Sequence, residues 1–217
     1  MKEYPSIPAI SEVSVRDGNT MVYAFEKWDG SNVRVEFSKK QGFHKFGSRR
    51  RLMDETDPML GKAKGLILEK YTDPLAEYFK ECRVDRGIAY FEFYGSSSFA
   101  GTHNPDDQHE VRLIDVELFK TGIIFPKEFL GQFGTDRTPS AKLLWQGPFN
   151  TVKEGLVPLV KKSQLDGMPL EGVVCKCSTS DRRYPHRPAM FKVKSEAWLT
   201  KLKEYCKGDE ELFNKLA

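Results

Sequence analysis

Long apolar runs are missing from this sequence. No stretch approaches the roughly 18 residues that would span a bilayer, and the first residues, MKEYPSIPAISEV, lack the charged-then-apolar pattern of a secretory leader. Both absences point to a soluble, cytoplasmic protein with no membrane partner. Cysteine is scarce: Cys82, Cys175, Cys177 and Cys206 form neither a CxxC pair nor a disulfide framework. Cys175 and Cys177 would face the same way on a strand, so a weak metal chelate and two buried thiols are both open, the thiols fitting better. The histidines have no zinc-ligand spacing with the cysteines. A GxxxxGK[ST] phosphate loop, an HExxH helix and a GxSxG elbow are all absent, so those three chemistries lack their signatures. Repeats of fixed period and low-complexity tracts are missing too.

What remains is a chain that can bury a core. It has 217 residues, 39% hydrophobic and 12% aromatic, enough for one domain. Lys plus Arg (34) barely exceed Asp plus Glu (31), so the net charge of +3 does not by itself suggest nucleic acid. The distribution says more. Residues 39–51 read KKQGFHKFGSRRR, without an acid, and a second basic stretch holds Arg182, Arg183, His186, Arg187, Lys192 and Lys194. Two local positive segments suit a phosphate groove; two solvated faces are the alternative.

Hydrophobic patterning predicts strands at 21–25 (MVYAF), around Val33, Val35 and Phe37, at 88–93 (IAYFEF), 172–177 (GVVCKC) and 189–194 (AMFKVK). Residues 111–118 and 122–125 read as a hairpin turning near Lys120-Thr121-Gly122. Residues 59–82 read as two helices, broken at Thr72-Asp73-Pro74. Residues 95–110 read as a loop, 126–133, 151–162 and 195–206 as helices, and 209–216 as a short terminal helix. Strands scattered among helices without a βαβ rhythm predict an α+β fold with mainly antiparallel sheets.

The segment Glu26-Lys27-Trp28-Asp29-Gly30-Ser31-Asn32 sits between two predicted strands, where a lysine amine can be held facing a cleft. Alone, KxDG reads as a surface turn. Downstream follow FEFYG (91–95), EGVVCK (171–176) and FKVKS (191–195). Together these supply an amine nucleophile, the carboxylates Glu92 and Glu171, and the pair Lys192 and Lys194. Two residues apart on a strand, that pair shares a face and can grip one polyphosphate. Each member also has an ordinary reading: cross-sheet ion pairs for the glutamates, an outward edge-strand face for the lysines.

In this order the set resembles the motifs of the covalent nucleotidyltransferases: DNA ligases, RNA ligases and mRNA-capping guanylyltransferases. It is most similar to the RNA ligases, known from bacteriophage, that seal nicks in duplex RNA. Lys27 to Gly30 resembles the first motif, preceded by Glu26 and followed by Ser31-Asn32 as in that group. Ser48-Arg49 resembles the next motif, and Glu92, residues 111–118, Glu171, and Lys192 with Lys194 the later ones. The resemblance spans about 23–203. It departs at Ile114, where the relatives usually present an adenine-stacking aromatic; Leu113 or Ile114 would then form an apolar floor.

The resemblance implies a nucleotidyltransferase (adenylation) fold over residues 1–217, with a short helical tail and no OB domain. In place of the domain that relatives carry after the fifth motif, a partner protein or the chain's own basic surface would engage the RNA. It implies an ATP-dependent RNA ligase: Lys27 takes AMP from ATP, AMP passes to a 5′-phosphate RNA end, and a 3′-OH end then seals the strand. Glu171 is the implied ligand of Mg2+ (or Mn2+). Glu26, Asn32, Arg49, Glu92, Lys192 and Lys194 are the implied nucleotide and RNA contacts, Glu26 meeting the exocyclic amine of adenine. A free lysine is almost wholly protonated at pH 7, so Lys192, Lys194 and the metal are expected to lower the pKa of Lys27. A guanylyltransferase or DNA ligase core, and a non-catalytic RNA-end-binding module, are the alternatives.

Overall fold

The computed structural model describes residues 1–53, 56–57, 61–96 and 106–217. Strands β1 (Met21–Lys27), β2 (Ser31–Ser38) and β3 (Gly42–Ser48) open the fold. Helix α1 (Gly61–Glu81), strands β4 (Arg86–Tyr94), β5 (Glu110–Leu118) and β6 (Gly122–Ile123), and helix α2 (Pro126–Phe133) follow. Strand β7 (Leu143–Pro148) leads through a 3-10 turn and a π-helical turn (Val152–Leu156) into α3 (Val157–Lys161). Strands β8 (Gly172–Ser180) and β9 (Pro188–Lys194) precede helices α4 (Glu196–Cys206) and α5 (Glu210–Leu216). One sheet has the order β7-β1-β8-β9 and the other β3-β2-β4-β5-β6, with every pairing antiparallel. The predicted α+β fold with antiparallel sheets is therefore present. Among the described residues no helix is long and apolar enough to cross a membrane.

Helix α1 covers one face of the five-stranded sheet. It buries Ala63, Ile67, Tyr71, Leu75, Tyr78 and Phe79, a stripe at helical spacing. Against it lie Val33 and Val35 of β2 and Ala89, Phe91 and Phe93 of β4. Tyr71 ties the helix down by donating to the Val111 and Pro139 carbonyls at 2.7 and 2.6 Å. The expected break at Thr72-Asp73-Pro74 is absent: α1 is continuous, with Pro74 inside it. An interior proline costs about 3 kcal/mol, but breaking the helix there would unseat Leu75, Tyr78 and Phe79, each worth about 1.5–3 kcal/mol when buried. Packing outweighs propensity, and Thr72 caps nothing, its hydroxyl donating to the Leu68 carbonyl one turn back.

A second core, with Val22, Ala24, Val152, Val173, Cys175 and Phe191, lies on one face of the four-stranded sheet. Cys175 and Cys177 are free thiols buried in it, which fits the thiol reading. Strand β7 was not predicted. It is an edge strand of half-buried residues paired to β1, and LLWQGP carries no alternation to betray it. The hairpin turn falls where expected, with Lys120 (φ 68°) and Gly122 (φ 102°) in the left-handed region. The loop expected over 95–110 lies mostly outside the described residues, as does the start of the helix expected from 59.

Candidate active site

The two sheets meet where β1 turns into β2, and this turn is the KxDG segment. Gly30 makes it possible: a Cβ there would stand 2.4 Å from the Phe93 carbonyl oxygen of β4. Lys27 ends β1 and pairs with Gly172 of β8, which pairs in turn with Lys194 of β9. The three form one row across the sheet. Gly172 has φ 133°, and a Cβ on it would come within 2.2 Å of the Val193 carbonyl oxygen, so only glycine fits. Glu171, just before it, thereby sits between the two amines: its Oε1 is 2.7 Å from Lys27 Nζ and 3.4 Å from Lys194 Nζ. On the other sheet Asn32 of β2 pairs with Glu92 of β4.

All eight candidate residues, Glu26, Lys27, Asn32, Arg49, Glu92, Glu171, Lys192 and Lys194, line a single cavity of about 440 Å³. A more open cavity of about 610 Å³ beside α1, lined by Lys62, Glu69 and Asp106 among others, contains none of them. Strand β9 is indeed an edge strand, but its two lysines point into the cavity, and its free edge is met by the N-terminal segment through an Ala9–Lys192 bridge. Lys192 and Lys194 donate to the carbonyls of Ala217 and Leu216, at the end of α5, both at 2.9 Å. Ile114 lines the apolar part with Ile7, Phe25 and Ala141, while Leu113 turns away into the core.

The protein's own charges run against one expectation. Burial pulls the pKa of Lys27 down, but Glu171, Glu92 and Asp29 together push it further up, so it ends above the ordinary lysine value. The lowering expected from nearby cations loses because carboxylates are the closer partners. The two β9 lysines are depressed instead: burial holds Lys194 at about 8 despite Glu171, with Lys27 and Lys192 adding repulsion. Lys192 moves down for the same leading reason, with Lys27 next. Burial raises Glu92 to about 8; Lys27 opposes this and Glu171 reinforces it.

A divalent cation would suit this donor set. Glu92 and Glu171 repel each other in one cavity, and hard oxygen donors are what magnesium takes. Among the described residues no three His, Cys, Asp or Glu side chains cluster as a metal cage, so the protein would supply one or two carboxylates and water or a ligand the rest.

Compared by sequence, the chain matches no protein-family model and no curated protein. Compared by structure, it matches solved RNA ligases. A Naegleria gruberi RNA ligase variant with AMP and manganese superposes with a TM-score of 0.67 at 14% identity, over 93% of this chain and 58% of that one. Another variant of it, with ATP and manganese, gives 0.66 at 16%, over 94% and 59%. An archaeal ATP-dependent RNA ligase gives 0.67 at 17%, over 95% and 52%. The fold is the RNA ligase nucleotidyltransferase fold. The chain spans somewhat over half the length of these proteins, and at such identities the likeness is one of fold.

Several cavity residues escape sequence reasoning. Tyr4, Ser6 and Ile7 come from an N-terminal segment without periodicity. Lys176 is buried, donating to Asp115 Oδ1 at 2.7 Å and the Ile114 carbonyl at 2.6 Å, while Tyr4 donates to Asp115 Oδ2 at 2.5 Å. Burial lowers the pKa of Lys176 despite Asp115. Lys176 closes the EGVVCK segment, but nothing local in the sequence pairs it with a residue 61 positions away. His186 is exposed, in keeping with a loop reading; its carbonyl accepts from the Ile123 amide.

Proposed function

We propose that this chain is an ATP-dependent RNA ligase that carries AMP on Lys27 and joins 3′-OH to 5′-phosphate RNA ends. The observation that carries the proposal is the row Lys27–Gly172–Lys194 with Glu171 clasped between its two amines. The backbones of the two lysines lie two strand spacings apart, about 10 Å, while both amines converge on the same carboxylate oxygen. A nucleotide laid along the row reaches from the apolar patch around Ile114 to the β9 lysines.

Lys27 rests as an ammonium and must shed a proton to attack, with Glu171 Oε1 as the nearest acceptor. Its lone pair then forms an N–P bond to the α-phosphorus while the bridging P–O bond to the β-phosphate breaks. Pyrophosphate leaves with the electron pair, and the second amine proton passes to solvent. Charge in this transition state lies on phosphate oxygens, and Lys192, Lys194 and Arg49, which all line the cavity, are assigned to meet it. Lys192 and Lys194 exchange the carbonyls of α5 for phosphate oxygens. A bound magnesium, held by Glu171 with Glu92 beside it, would neutralise phosphate charge. In the second step a 5′-phosphate oxygen of RNA attacks the AMP phosphorus and the P–N bond breaks, returning the electron pair to Lys27. In the third a 3′-OH attacks the RNA phosphorus and AMP leaves. Asn32 and Arg49 are assigned to the RNA end. Support for RNA as the substrate comes from the solved proteins of this fold, which are RNA ligases by name.

The test is ligation of labelled strands carrying 5′-phosphate and 3′-OH ends, with ATP and magnesium, by wild type and Lys27→Ala. Sealed RNA and an AMP-capped intermediate from wild type alone support the proposal. Sealing of DNA only, or labelling with GMP only, moves the chain to its DNA ligase or capping relatives. Binding of RNA ends without any nucleotide transfer would leave a non-catalytic module.

A further inference from the structure

We infer that Trp28 sets the base preference of the cavity by locking Glu26, so that a base with an exocyclic amine, as in adenine, is favoured over one with a carbonyl there, as in guanine. This rests on the nucleotide-binding reading above. Glu26 is buried, and its Oε2 accepts from two donors, the Lys142 amide at 3.0 Å and the Trp28 indole N–H at 3.2 Å. With Oε2 held twice, the carboxylate cannot spin, and Oε1 is left as its second acceptor. The lock stands on the apolar side of the cavity. Ala141, next to Lys142, is bonded to Leu113, and Ile114 follows; both Ala141 and Ile114 line the cavity with Glu26. A base seated there meets an acceptor-only group at its edge, which rewards an amine and repels a carbonyl oxygen.

The indole is itself aimed. Its ring stacks on Tyr94 at 4.4 Å and 11°. Tyr94 is pinned through its hydroxyl, which donates to Glu110 at 2.9 Å and accepts from Arg112 Nε at 3.0 Å. The Arg112 guanidinium also sits 5.9 Å from the indole ring. Strand β5 thus fixes Tyr94, Tyr94 fixes the plane of Trp28, and Trp28 fixes Glu26. Trp28 is a positioning residue, acting on the base through another side chain.

The experiment measures equilibrium dissociation constants for ATP and GTP, without divalent metal, in wild type, Trp28→Phe, Glu26→Gln and the double variant. Phenylalanine keeps a ring on Tyr94 and loses only the N–H. The ATP-over-GTP ratio is read within each protein, so a partly unfolded variant still reports it. Trp28→Phe should lower the ratio about tenfold, the scale of one hydrogen bond to a charged group. Glu26→Gln should also lower it, and the double variant no further than Glu26→Gln alone. An unchanged ratio in Trp28→Phe, a Trp28 effect that persists in the Glu26→Gln background, or a wild type without preference would each overturn the inference. Nucleotide binding with a clear preference but no label on Lys27 would instead overturn the ligase reading alone.

Discussion

Replacing Glu92 by glutamine should stabilise the nucleotide-free protein, and increasingly so as pH rises. Glu92 titrates at about 8 in the fold, against an ordinary value of 4.5. Its folded pKa is the higher one, so folding takes up a proton between those values. The stability this group contributes is complete below about pH 4.5 and is lost as pH rises through about 8. Inside that window the loss approaches about 1.4 kcal/mol per pH unit for one proton. Glutamine has no proton to lose and keeps the shape. Between pH 5 and pH 7 the gap between variant and wild type should therefore widen by up to about 2.7 kcal/mol. For a domain of this size that is roughly 5–10 °C in Tm. Thermal melts at pH 5, 6 and 7, with chelator and without nucleotide, read it directly. Groups that do not interact with Glu92 titrate alike in the two proteins, so the difference reads Glu92 together with the Lys27 and Glu171 charges it meets. A gap that stays constant or narrows with pH would refute the burial and Glu171 repulsion invoked for this carboxylate.

Three other outcomes follow from the same geometry. The apparent second-order rate of nucleotide labelling should climb between pH 6 and pH 8, as Lys27 sheds the proton its carboxylates hold, and bend over near 8, where free Lys194 loses its charge; a flat profile would contradict it. Gly172→Ala should cost several kcal/mol or prevent folding, because its φ of 133° and the 2.2 Å approach to the Val193 carbonyl both forbid a Cβ; a Tm within a few degrees of wild type would contradict it. Binding of ATP should speed hydrogen exchange at the end of α5, since phosphate oxygens would take Lys192 and Lys194 from the Leu216 and Ala217 carbonyls; unchanged exchange would contradict it.

How much was legible in the sequence depended on the range of the interactions involved. Strands with alternating apolar residues, such as β2 with Val33 and Val35, announce themselves by the alternation of apolar and polar side chains, although Arg34 between them is buried as well. The Lys192–Lys194 pair was readable for the same reason, since strand period alone fixes a shared face. Helix α1 was misread at Pro74 because the stripe that overrides the proline is secured by Phe91 and Val111, residues of strands that follow it. The eight candidate residues converge because they sit at or near strand ends where the two sheets meet. What the sequence withheld were the partners that hold them. The Lys142 amide that locks Glu26 is 116 positions away and is backbone, invisible in any side-chain pattern. The direction of the Lys27 shift was likewise a matter of distance: Glu171 was visible in the motifs, but its 2.7 Å contact with Lys27 was not.

The central claim is that Lys27 becomes a nucleotidyl-lysine. The direct measurement is the intact mass of purified wild type and Lys27→Ala after incubation with magnesium and ATP, following pyrophosphate treatment to strip any AMP already carried. Addition of one AMP to the wild type and none to the variant is the predicted result. A wild type that gains no nucleotide after stripping, or a Lys27→Ala variant that gains one equally well, would contradict the account.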